Sequence, residues 1–330
     1  MIRHYLSLAA LVALSGASPA QAHRDCTMSP DDGKWVADAF RASQLVMLQR
    51  LHLPRDPRPT IVLFDKNCRF ETKLADRGKW VGITHEGRIL LPDGNHVDVG
   101  VTSFASRDDR TGERFFVMAL PSIWYAAKVM KPADLGLIGV FLHEFSHTRQ
   151  MDVLRPRFDT ASAIRPLPED FTDDTIQKTF QANADYAQSI AREIELLYKA
   201  ADEPDEAEAR SLARHALGVM ETRQTQFFTG KNAWLRPYDD LFLTMEGFGQ
   251  WAAYAWLSDA KGGRMTPLAA RDRMRGSRRW WSQDQGLALF LVIDRLLPAW
   301  PQQAFGSRPA LAIELLREAV DAAPPQKRLQ

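Results

Sequence analysis

Residues 134–153 constrain the fold of this chain more than any other stretch. No proline interrupts them, and Leu135, Ile138, Val140, Phe141, Leu142 and Phe145 make a helix that is apolar on most sides. A helix of that kind belongs in a core rather than on a surface. Set into it are His143, Glu144 and His147, in the order His-Glu-Phe-Ser-His. Positions 143 and 147 are one turn apart, so both imidazoles project from the same face. Two buried imidazoles must be satisfied, and a metal ion held between them does so directly. Glu144 stands beside the first, where a carboxylate can reach a water on that metal. The rest of the chain has to enclose this helix.

It has the means. The chain of 330 residues is 45% hydrophobic, enough for a sizeable core, and its composition excludes a collagen, a coiled-coil rod or a disordered tail. With 42 basic residues against 41 acidic ones there is no global charge to attract nucleic acid or a membrane surface. The start reads as an export signal: Arg3 and His4, an apolar run over residues 6–14, then Ala20-Gln21-Ala22 with cleavage expected before His23. The run is too short to span a bilayer. No cysteine follows it where a lipid anchor would need one, so the expected product is released, periplasmic or secreted, and soluble. Removing residues 1–22 takes away only Arg3 and leaves 41 basic against 41 acidic side chains. The two cysteines, Cys26 and Cys68, both lie in the exported part, which predicts one structural disulfide.

The mature chain, 23–330, reads as α+β in two parts, 23–133 and 134–330. A helix is expected over 33–52 and a buried strand over 60–64 (TIVLF). Strands at 80–84 and 88–91 flank Glu86-Gly87 as a hairpin; residues 97–101 alternate at period two; 114–120 (RFFVMAL) forms a further strand. The sheet should be small and mostly antiparallel. Helices are expected over 134–153, 175–200, 204–228, 238–258, 285–297 and 309–321. Residues 261–281 hold Lys261 and six arginines, closing on Trp280-Trp281. A solvated helical face anchored by the aromatics is favoured there over an anionic-polymer site.

His143-Glu144-Phe145-Ser146-His147 resembles the helix motif of the zincin metallopeptidases, although Arg149 stands where a small or apolar residue is usual. The resemblance implies one zinc ion and a third protein ligand. No histidine follows His147 until His215, which removes the metzincin pattern and leaves a glutamate. Glu246 is favoured: Thr244-Met-Glu-Gly-Phe-Gly-Gln-Trp251 is similar to the Glu-Gly helix that carries the third ligand in many gluzincins. Gly247 and Gly249 each cost about 1 kcal/mol relative to alanine, a sign that a backbone or a substrate approaches closely. Gln250 falls where gluzincins often keep a carboxylate bonded to a zinc-binding histidine, and an amide oxygen can accept the same N–H. Glu193, an acid on an apolar helical stripe that must find the metal or a basic partner, is the runner-up. Glu169 has nearly the short thermolysin-like spacing but sits in Arg165-Pro-Leu-Pro-Glu-Asp, where two prolines argue against a packed helix interior.

The implied chemistry is hydrolysis of a peptide or protein substrate, with Glu144 as general base and Tyr254, Tyr186 or His215 as candidate donors to the oxyanion. An edge strand upstream of the helix, expected at 114–120, would pair with the extended substrate. The alternative is a non-catalytic exported protein that binds metal or other envelope components. Such a site has no use for a carboxylate at position 144.

Overall fold

The computed structural model describes residues 26–322 apart from 57–58, 74–78, 133 and 277. The export signal expected over residues 1–22 lies outside the described residues. The architecture is α+β, a sheet followed by helices. The chain forms two compact units, one of Met1–Leu45 and Pro54–Thr148, the other of Val46–Leu53 and Arg149–Gln330.

In the first unit, α1 (Pro30–Gln44) starts on Ser29, whose hydroxyl accepts the Asp32 N–H at 3.1 Å, and Pro30 occupies the first turn, where its missing N–H costs nothing. The strands are β1 (Thr60–Phe64), β2 (Cys68–Lys73), β3 (Val81–Thr84), β4 (Arg88–Leu90), β5 (His96–Asp98), β6 (Ser103–Arg107) and β7 (Arg114–Ala119). Five make one sheet in the order β3-β2-β1-β7-β6, and β4 and β5 form a separate ribbon. Among the described strands only β1 and β7 run parallel; the other pairings are antiparallel. The Cys26–Cys68 disulfide forms and fastens the chain ahead of α1 to β2. On β3, Gly82 lies against the Cys26 carbonyl, where a Cβ would collide.

Three strand expectations need correction. Glu86-Gly87 does turn the chain, with Gly87 at φ 84°, but the strands on either side do not pair with each other. β3 pairs with β2, and β4 with β5. The alternating run 97–101 supplies only the end of β5 before the chain bends towards β6. Most consequential is β7, expected at an edge. It lies between β1 and β6 with all six residues buried, so it has no side open to a substrate.

The edge on that side is β6. Its N–H···O partners across β7 fall at Thr102–Ala119 and Asp108–Glu113, and the register places Phe104 and Ser106 in the same bonded phase. By alternation, the main-chain groups of Ser103, Ala105 and Arg107 point away from β7. Among the described strands none lies beyond them.

After α2 (Pro121–Ala126), helix α3 (Gly136–Ile164) carries the motif and continues past 153 through Pro156. The remaining helices are α4 (Thr175–Phe180), α5 (Ala184–Asp202), α6 (Glu206–Phe227), α7 (Arg236–Ser258), α8 (Pro267–Arg275), α9 (Trp281–Leu296), α10 (Trp300–Ala304) and α11 (Ala312–Asp321). The single helix expected over 175–200 is split because Asn183 caps a new start, its side chain accepting the Tyr186 N–H at 3.0 Å.

In the second unit α7 is the central helix, buried on nearly all sides from Tyr238 to Leu257. It meets α9 backbone to backbone: a Cβ on Gly247 would stand 2.6 Å from the Gly286 carbonyl oxygen, and one on Gly286 would stand 2.5 Å from the Gly247 Cα. The expected close approach at Gly247 is therefore another helix.

Beside α7 lies a buried ionic network. Arg223, on α6, donates from Nε to Glu193 Oε1 (2.8 Å), and through its terminal nitrogens to the Tyr186 hydroxyl (2.7 Å) and Asp239 (3.0 Å). Gln224 bridges Asp239 and Asp240 at 3.0 and 2.8 Å. Burial, reinforced by the Asp239 charge, pushes the Asp240 carboxyl up to about 6. A carboxyl raised on folding stabilises the fold below its unfolded pKa of 3.8, and that contribution is lost as pH rises through about 6. Asp240→Asn keeps the acceptor for Gln224 without the charge. It should therefore match the parent's stability at pH 4 and exceed it at pH 8, by on the order of 2 kcal/mol. Thermal melts of both proteins across that range check it; a parallel offset at both ends would exclude Asp240 as the source.

Candidate metal centre

The first unit aims the histidines by packing the opposite side of their helix. Phe141 and Phe145, also one turn apart, stack at 5.2 Å and meet Phe40 of α1 at 5.3 and 5.7 Å and Phe116 of β7 at 5.2 and 5.5 Å. Trp35 adds an edge contact to Phe141 at 6.0 Å. His143 and His147 are each two residues further along, about 200° around the helix axis, so they face away from the phenylalanine cluster. Aromatic packing thus sets the rotation of the helix and with it the direction of the imidazoles.

Both are buried, with 6% and 1% of their surface exposed, and their rings lie edge-on at 4.9 Å. Glu144 is 9% exposed. One ligand atom from each of His143, Glu144 and His147 lies within 4.8 Å of the other two. Two imidazole nitrogens and a carboxylate oxygen form a borderline donor set of the kind zinc takes, so the residues present fit a metal ion. Ser146 and Thr148 turn their hydroxyls onto the helix's own carbonyls of His143 and Phe145, both at 2.7 Å.

A restraint absent from the sequence expectations holds the end of the motif. Arg114 of β7, 3% exposed, makes a bidentate pair with Asp56 at 2.7 and 2.9 Å and also donates to the carbonyl of Thr148. The residue after His147 is thereby tied to the sheet. The sequence offers a faint signal, an arginine opening an otherwise apolar strand.

Of the glutamates proposed as third ligand, Glu246 sits mid-way along α7 at 2% exposure. Its Oε2 accepts from Gln283 Nε2 at 3.2 Å, and Gln283 Oε1 in turn accepts from Gln250 Nε2 at 2.9 Å. Gln283 carries no signal in the sequence. Within the same unit, Gln150, three residues past His147, donates to the Thr244 carbonyl at 3.0 Å, two residues before Glu246.

Glu193 found the basic partner that its position demanded. Its Oε1 takes Arg223 and Ser189, and its Oε2 takes Gln285 at 2.6 Å. Glu169 is exposed in a turn. Among the candidate oxyanion donors, Tyr186 is committed to Arg223 and packed against Phe180 at 4.3 Å, and His215 is exposed on α6 beside Arg192. Tyr254 lies on the same face of α7 as Glu246 and Gln250, two turns and one turn away.

The basic stretch 261–281 is partly consumed by structure. Arg271 holds Asp202, and Arg275 pairs with Asp284 at 2.8 and 3.2 Å while covering the Tyr198 ring at 4.1 Å. Arg279 lies over Trp280 at 4.5 Å, in keeping with the aromatic-anchored face.

The chain matches no protein-family profile, no curated protein and no solved structure. What it carries is a His-Glu-His cluster on a buried helix, able to hold a metal ion.

Proposed function

We propose that this chain is an exported zinc metallopeptidase that hydrolyses peptide bonds. The observation carrying the reading is the convergence of His143, Glu144 and His147 donor atoms within 4.8 Å on a buried helix. With Glu246 completing the ligand set, Glu144 is a carboxylate that a purely structural site has no use for.

His143 and His147 would hold the ion, with Glu246 as the proposed third ligand. Two features support Glu246: its Glu-Gly helix and its burial. Zinc held there would supply Lewis acidity, making water a better nucleophile near neutral pH and polarising a carbonyl. Glu144 accepts the proton of the attacking water as its oxygen bonds to the carbonyl carbon, then delivers that proton to the amine nitrogen as the C–N bond breaks. Tyr254 is the donor proposed for the oxyanion.

The substrate strand is assigned to β6. An extended peptide laid along it would find the outward N–H and C=O groups of Ser103 and Ala105. Export is supported by the signal pattern and by the Cys26–Cys68 disulfide, a bond that persists in oxidising compartments. The two parts of the mature chain are read as one catalytic domain acting on peptides or proteins, without nucleic-acid partners or membrane insertion.

The test is metal analysis of the mature protein joined to a peptide-library cleavage profile before and after chelation. One zinc per chain is expected, with cleavage lost on chelation and restored by zinc. A zinc-replete protein that cleaves nothing in the library would turn the reading to the non-catalytic metal-binding one.

A further inference from the structure

We propose that Gln283 is a positioning residue of the metal centre: it holds the Glu246 carboxylate and, through that bond, fixes Gln250 with its amide oxygen turned outward as an acceptor. This rests on the reading of Glu246 as a ligand.

An ionised carboxylate can only accept hydrogen bonds, so the 3.2 Å contact with Glu246 Oε2 must be made by the Gln283 amide nitrogen. That choice turns Gln283 Oε1 towards Gln250, and an oxygen can be met only by the Gln250 NH2, at 2.9 Å. Gln250 Oε1 is then presented on the other side. The direction of both amides follows from the one carboxylate, with no appeal to their own preferences.

Gln250 is 6% exposed, and its Oε1 is fully buried with no hydrogen-bond partner among the described residues. A buried acceptor left in that state is costly, about 1–3 kcal/mol, and calls for an N–H donor. A free glutamine side chain can offer either an acceptor or a donor; the relay removes the choice. Gln250 thereby acts as an aspartate or glutamate would in the same place, a fixed acceptor that adds no negative charge beside Glu246. The relay is possible because Gly247 and Gly286 let α7 and α9 touch, bringing the first turn of α9, with Gln283, within reach of Glu246.

Gln283→Leu removes both bonds at a half-buried position. Its apparent zinc affinity, measured by competition with a chromophoric chelator, should fall about 10–100-fold. Circular dichroism should stay at the parent's level, and the visible spectrum of the cobalt-substituted protein should shift. A carboxylate accepts through either oxygen and needs no orienting partner. Adding Gln250→Glu to Gln283→Leu should therefore recover part of the lost affinity, and adding Gln250→Leu should recover none.

The proposal is overturned if Gln283→Leu binds zinc within about twofold of the parent while Glu246→Ala has lost it. If Glu246→Ala keeps zinc, the ligand reading beneath the proposal fails, which is a separate result. Should Gln283→Leu not fold, Gln283→Met, nearly the same size and without hydrogen-bonding amide atoms, is put through the same comparison.

Discussion

Glu144→Gln is expected to keep one zinc per chain while peptide hydrolysis falls roughly a thousandfold or more. The two side chains are nearly identical in shape, and position 144 lies on the same helix turn as His143 without being one of the proposed ligands. The substitution therefore leaves the phenylalanine contacts that orient the helix in place, together with both imidazoles. What it removes is basicity. An amide cannot take a proton from water and hand it to a departing amine, and a positioned general base and acid contributes about 10²–10⁴ to the rate. Glu144 is asked to play both parts, which sets the expectation towards the upper end. The measurement pairs metal content with the cleavage rate of a substrate taken from the library profile. Unchanged activity in a zinc-loaded variant would sink the mechanism, because it would place proton transfer elsewhere. A drop in zinc content in step with activity would make Glu144 a ligand instead of a base.

The part of this centre that was legible in the sequence is the part written within one helix. A spacing of four residues puts His143 over His147 and Phe141 over Phe145 on opposite faces, so the motif supplies both the metal donors and the packing surface that aims them. Pairings between distant elements were not legible. Glu193 read as an acid in need of a partner, but that the partner is Arg223, on the next helix, depends on how α5 and α6 meet. Gln283 had no local mark at all, since its role follows from two glycines letting α7 and α9 touch.

The sheet shows a different kind of failure. RFFVMAL was placed at an edge because it precedes the motif helix, although an uninterrupted apolar run is itself the signature of a strand covered on both faces. β2 was missed because Arg69, Glu71 and Lys73 give CRFETK a polar look. Yet Cys68, Phe70 and Thr72 alternate inward at period two, with Arg69 and Glu71 paired on the other face. β6, with only Phe104 as a large apolar residue, shows its place through the register and not through its composition.

Glu246→Ala should lose zinc altogether on dialysis, with an affinity loss greater than the roughly 100-fold upper range seen when an outer hydrogen-bond partner of a ligand is removed. A zinc site that keeps one position open for water has three protein ligands, and two imidazoles alone hold the ion too weakly to survive exchange. The comparison that gives this result its force is Glu193→Gln. Both glutamates are buried, so a loss of zinc caused merely by deleting a buried acid would appear in both variants. Both oxygens of Glu193 are engaged by Arg223, Ser189 and Gln285, so its amide variant should keep zinc and activity and lose stability instead. That cost is on the order of 2 kcal/mol, from weakening a charged hydrogen bond beside a buried guanidinium. Zinc content and melting temperature measured on the two variants should therefore separate cleanly, one losing metal and the other losing stability. If Glu193→Gln loses the metal while Glu246→Ala retains it, the assignment of ligand and structural acid is reversed. Retention of zinc in both would move the third ligand off these two helices and reopen Glu169, at the cost of bringing an exposed turn into the centre.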